Sequence, residues 1–83
     1  MRGVTSNQLL WRCRRGAREL DSLLEPYAAA KLGSMTHTEK ITFDRLLEQQ
    51  DPDLLDWFFS DKAPDDSELD QAIRDVLQFS EQS

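Results

Sequence analysis

The sequence predicts an all-α fold: a compact single-domain bundle of five helices across residues 1–83, with an ordered core at about 6–79 and frayed ends. Three observations predict it. Apolar residues recur at the spacing of one helix face in five successive segments, and no segment alternates as a strand would. Helix start and stop residues stand between those segments. Only three Gly and three Pro occur in 83 residues, which leaves little room for long irregular stretches. A hydrophobic share of 39% suits a packed core, and a chain this short suits one core, not two.

The first helix is expected over residues 6–15, capped by Thr5, Ser6 or Asn7. Leu9, Cys13 and Gly16, with Leu10 beside them, form its core-facing stripe. Gly16 then breaks or bends the chain. The second helix spans about 18–32 on Leu20, Leu23, Leu24 and Tyr27. Pro26 interrupts it at a cost of about 3 kcal/mol in an ideal helix interior, so a kink or a restart through the alanines is expected, and Gly33 stops it. The third opens with a capping box, Thr36 with Glu39, and buries Ile41, Phe43, Leu46 and Leu47. The fourth has Asp51 as N-cap, Pro52 at the first helical position, and a mostly buried run of Leu54, Leu55, Trp57, Phe58 and Phe59. The fifth opens on a box of Asp65 with Glu68, buries Leu69, Ala72, Ile73, Val76 and Leu77, and frays through the final "SEQS".

No catalytic set of residues stands out. No HExxH, GxGxxG, P-loop or GxSxG pattern occurs, so no enzyme is expected. Cys13 stands alone and cannot form an internal disulfide; with the single His37 it cannot build a zinc site. Cys13 reads as a small core residue and His37 as a surface residue. The pairs Asp51/Asp53 and Asp65/Asp66 sit at helix starts, where capping explains them better than a metal does. No apolar run is long enough to span a bilayer, and the first residues lack the apolar core of a signal peptide, so no membrane insertion and a bacterial cytoplasmic location are expected.

Charge is unevenly distributed. Residues 1–20 carry five arginines against Glu19 alone, +4; residues 21–83 carry five basic and fifteen acidic side chains, −10. The acidic body would repel a polyanion, which argues against a nucleic-acid partner. The basic stretch "RCRRGARELD", residues 12–21, admits two readings. One is a solvated face in which Arg15 and Glu19 pair at i,i+4. The other is a docking surface: arginine forks recognise carboxylate, phosphate or carbonyl groups, glycine lets a second backbone approach, and Glu19 orients an arginine or accepts from a partner.

At "RRGARELD" the chain resembles the bacterial FAD assembly factors of succinate dehydrogenase, related to mitochondrial succinate dehydrogenase assembly factor 2. Arg15, Gly16 and Glu19 match that family's Arg-Gly-x-x-Glu motif, and "WRCRRG" and "ELD" fit around it. "RLLEQQDPDLLDWF", residues 45–58, is similar to a second family segment, and "PDDSEL" to a third; together they cover about residues 7–79. The resemblance implies a five-helix bundle that binds the flavoprotein subunit of succinate dehydrogenase, and in bacteria often that of fumarate reductase. It implies promotion of covalent FAD attachment to a client histidine. FAD is then the client's cofactor; with no dinucleotide fingerprint, none is expected on this monomeric chain itself. The implied partner-binding residues are Arg15, Gly16 and Glu19, with Arg12, Arg18 and Trp11 at the edge. On that reading Gly16→Arg folds nearly normally yet blocks docking. Gln8 stands where some relatives have a basic residue. A small helical adaptor or antitoxin-like regulator using the same patch is the alternative.

Overall fold

A computed structural model describes residues 6–82 of the chain, with the side chains of residues 8–82. It contains helices α1 (Ser6–Arg12), α2 (Arg18–Lys31), α3 (His37–Leu47), α4 (Asp51–Phe59) and α5 (Ser67–Gln82), with a 3₁₀ turn at Leu32–Ser34; no strand occurs among the described residues. The α2, α3 and α5 helices form the centre of the bundle, α1 lies across α2 and α3, and α4 packs on α2 and α5. Each helix contributes to one core. Leu9 and Cys13 come from the α1 end, Leu20, Leu24 and Tyr27 from α2, Phe43 and Leu46 from α3, Leu54 and Phe58 from α4, and Leu69, Ile73 and Val76 from α5. The Tyr27 ring lies 5.7 Å from those of both Phe43 and Phe79, tilted on the first and edge-on to the second.

The predicted elements are present, with shifts at their ends. The α1 helix stops at Arg12, three residues early, in a tightened turn: the Cys13 amide is shared between the carbonyls of Leu9 and Leu10, and Arg14 N–H donates to Trp11. Thr5 lies outside the described residues, as do the side chains of Ser6 and Asn7. Pro26 ends nothing; α2 runs through it to Lys31. Its ring is exposed, while Leu20, Leu24, Tyr27 and Ala28 hold the opposite face in the core, and that burial outweighs one lost backbone bond. Gly33 sits inside the 3₁₀ turn without a left-handed φ, so the helix ends by tightening and not by a glycine cap.

The Thr36–Glu39 capping box is present in both directions, with bonds of 3.1 and 2.9 Å. Asp51 is not an N-cap. Gln50 takes that place, and Asp51 is drawn instead to an arginine. Asp66, not Asp65, caps α5: its Oδ1 accepts from the amides of Glu68 and Leu69. Residues 80–82, expected to fray, continue α5. Leu10, Ile41 and Phe59 were expected inside and are exposed, Phe59 by 54%, because each lies off its helix's buried stripe. Leu23, Leu55, Trp57, Ala72 and Leu77 are only partly buried.

Candidate functional site

The basic stretch folds into the α1–α2 junction, and its arginines divide into two groups. Arg12, at the end of α1, donates to the Oδ1 of Asp44 on α3, a carboxylate that is nearly buried. Arg15 is only 15% exposed and uses three side-chain N–H groups at once. Its Nε donates to the Oδ1 of Asp51 at 2.5 Å, its Nη1 to the carbonyl of Leu47 at 2.7 Å, and its Nη2 to the carbonyl of Gln49. Those carbonyls lie just where α3 ends and the chain turns into α4, so they have no partner along the helix. A guanidinium there satisfies them and also faces the negative end of the α3 dipole. The Arg15 backbone N–H donates to the Oδ1 of Asp21 at 2.9 Å, which ties the junction to the first turns of α2. Arg15 is thus an internal bracket joining the α1–α2 junction, the α3–α4 loop and the start of α4. The Arg15–Glu19 pair of the solvated-face reading does not form, because Arg15 turns inward to Asp51.

Gly16 makes the turn possible. Its φ is +87°, the one positive φ among the described residues, in a region where an L side chain is strained. A Cβ there would meet nothing within 4 Å. The glycine is therefore required by the backbone, and its face is open. This corrects the expectation that Gly16→Arg folds nearly normally: the space is free, but the conformation resists any side chain. Gly16 is also exposed and not part of a core stripe.

The second group faces solvent. Arg18 and Glu19 occupy the first turn of α2, both exposed, and neither side chain has a hydrogen bond or ion pair among the described residues. Arg14 is exposed as well; it lies 5.8 Å from the centroid of the Trp11 ring and 3.5 Å from the Oε1 of Glu25. Trp11 is 72% exposed. Of the six residues expected in the site, Gly16, Arg18, Glu19 and Trp11 are thus outward and open, while Arg15 and Arg12 hold the frame beneath them.

Cys13 is fully buried, and burial pushes its thiol up to about 12, with Glu25 adding to the shift. That suits a packing residue and not a nucleophile. His37 is exposed at the start of α3. Among the described residues no group of His, Cys, Asp and Glu is placed to hold a metal ion.

Sequence reasoning did not find Asp21, Asp44, Asp51 or the two loop carbonyls as arginine partners. Four of these arginine side-chain contacts span 32 to 36 residues, and nothing local marks them. For Asp21 and Asp51 the available signal was a carboxylate near a helix start; Asp44, late in α3, and the two carbonyls carried none.

A family model described as the flavinator of succinate dehydrogenase matches residues 7–80. The chain belongs to that family. Relatives agree: it is 43% identical to the FAD assembly factor SdhE of Coxiella burnetii over 77 residues, covering 93% of this chain and 94% of that one. It is 45% identical to the FAD assembly factor SdhE of Yersinia pseudotuberculosis over 64 residues, 77% of this chain and 73% of the relative. With that of Colwellia psychrerythraea it shares 36% over 74 residues, 89% and 81% of the two chains. In this flavinator-family chain the Arg-Gly-x-x-Glu motif therefore has a split geometry: its arginine faces inward, while its glycine and glutamate are on the surface.

Proposed function

We propose that the protein is an assembly factor without catalysis of its own, which docks on the flavoprotein subunit of succinate dehydrogenase, and on the related subunit of fumarate reductase, and promotes covalent attachment of FAD. Attachment chemistry belongs to the client, its flavin and its histidine. The factor supplies binding energy that holds the client in an arrangement competent for that step. One observation carries the assignment of the surface: the Arg15 bracket rigidifies the α1–α2 junction while leaving Gly16, Arg18 and Glu19 open, with two opposite charges lacking partners. A fixed frame presenting unpaired charges beside a bare backbone is what a complementary interface uses.

Glu19→Ala tests it. The carboxylate touches nothing among the described residues and adds only a helix-dipole contribution of about 0.3–1 kcal/mol, so the variant should melt within a few degrees of wild type. An interfacial charge left unpaired costs about 2–5 kcal/mol, so client affinity should fall roughly 30-fold or more. Protein-bound flavin fluorescence of the denatured client reads the outcome. A variant that melts normally and supports wild-type flavin attachment would refute the docking surface.

A further inference from the structure

An apolar groove of ≈ 500 Å³ lies between α1 and α2. Leu10, Trp11, Pro26 and Ala29 line it, and Arg14 and Glu25 form its rim. Residues 10, 11 and 14 share one face of α1 and its C-terminal turn, away from buried Leu9 and Cys13; residues 25, 26 and 29 share one face of α2. The short Ala29 side chain and the compact Pro26 ring keep the α2 wall low, which makes the surface concave. Trp11 spends its ring here and not in the core. Exposed tryptophan in a pocket is the residue type that most often anchors protein interfaces.

Charge indicates what would sit there. Arg14 is held at 3.5 Å by Glu25 in an open setting, and Arg18, one turn further along the chain, has no partner among the described residues. The rest of the chain, residues 21–83, carries −10. Arg12 and Arg15 are already paired with Asp44 and Asp51, so the cations left for a partner's carboxylate at this end are Arg14, in a long contact with Glu25, and Arg18. The Gly16–Glu19 turn begins two residues beyond Arg14 in the chain, so the groove's rim and that turn are joined by a short stretch of backbone.

We propose that this groove receives a segment of the flavoprotein client that inserts one apolar side chain against Trp11 and places a neighbouring carboxylate on Arg14. The inference rests on the docking reading above and adds a second, apolar foothold to it. The groove has room for an apolar side chain and its neighbours; the carboxylate competes with Glu25 for Arg14 and sets the register of the segment.

The test is calorimetric titration of the full-length protein with the purified apo-flavoprotein subunit. Trp11→Ala should weaken binding about tenfold or more, as expected for a buried aromatic anchor, with melting unchanged because the ring is exposed in the free protein. Ala29→Arg, at an exposed helical position, fills the groove and should weaken binding similarly. Arg14→Glu should weaken it further at low salt than at high salt, whereas Arg74→Glu on α5 should not. If wild type binds but Trp11→Ala and Ala29→Arg bind equally well, the groove is not used and the inference fails while the docking reading stands. If those two lose affinity and Arg14→Glu does not, the carboxylate assignment is wrong and the proposal as stated fails. If wild type does not bind the subunit at all, both readings fall.

Discussion

Replacing Arg15 by alanine separates a bracket from a contact. In the free protein the change removes three side-chain hydrogen bonds: one to Asp51 and one each to the carbonyls of Leu47 and Gln49. The Asp51 side chain is about one-third exposed and regains water, so its ion pair contributes no more than about 1 kcal/mol. Each carbonyl bond from a charged donor contributes about 1.5–3 kcal/mol in full burial; with a solvent-accessible loop the low end applies, about 1 kcal/mol each after rehydration. The sum is roughly 3 kcal/mol, and for a domain of this size each kcal/mol moves the melting temperature by about 4–8 °C. Arg15→Ala should therefore lower it by roughly 12–24 °C. Arg15→Lys keeps the charge but reaches one acceptor at a time, so it should fall about two-thirds as far. Circular dichroism at 222 nm against temperature, at fixed pH and salt, measures both. If Arg15→Ala melts within about 3 °C of wild type yet fails to support flavin attachment, Arg15 works by touching the client and the bracket reasoning is refuted.

Three further outcomes follow from the same geometry. Gly16→Ala should cost about 1–2 kcal/mol through the positive φ alone, with Gly16→Asn costing less, as urea titration would show. Cys13 should resist thiol reagents at pH 8 in the native state and react at once in guanidinium chloride; because its folded pKa is raised to about 12, any stability it confers is complete below the unfolded thiol value and declines as pH climbs towards 12. Glu39 has its pKa lowered by the Thr36 backbone N–H and then by the Thr36 hydroxyl, so the box stabilises above the unfolded glutamate value and is lost as pH falls through the folded one; melting of wild type and Glu39→Ala should differ at pH 7 and converge near pH 3.

Much of the fold was legible because its information is local. Helical stripes and the Thr36–Glu39 box lie within a few residues of one another, and they appear where expected. Errors fell at ends, where tertiary partners decide. Asp51 is a good N-cap by type, but a guanidinium 36 residues away claims its carboxylate. Pro26 should break an isolated helix, and the buried face of α2 overrides it. The candidate site was half legible. Gly16 beside arginines pointed to the right turn, and Glu19, read as a partner contact from its place in the charged stretch, is exposed. That Arg15 points inward depended on where the α3–α4 loop would lie, which no short-range pattern encodes.

The described part of α1, Ser6–Arg12, is seven residues, a segment too short to persist as a helix alone in water, so it is held by its attachments. Its attachments are few: Leu9 and Cys13 in the core, and the arginine bonds to α3 and the α3–α4 loop. Of the five helices it should be the first to fray, in the turn before Arg12, while the Arg12 and Arg15 bonds keep its junction with α2 closed. Amide hydrogen exchange should record that as faster turnover in residues 9–13 than in 43–47. Guanidinium chloride, being an electrolyte, should release α1 relatively earlier than urea does. Strength at the junction and weakness in the short helix beside it thus meet in one small region, so the electrolyte sensitivity of α1 reports on the Arg12 and Arg15 bonds.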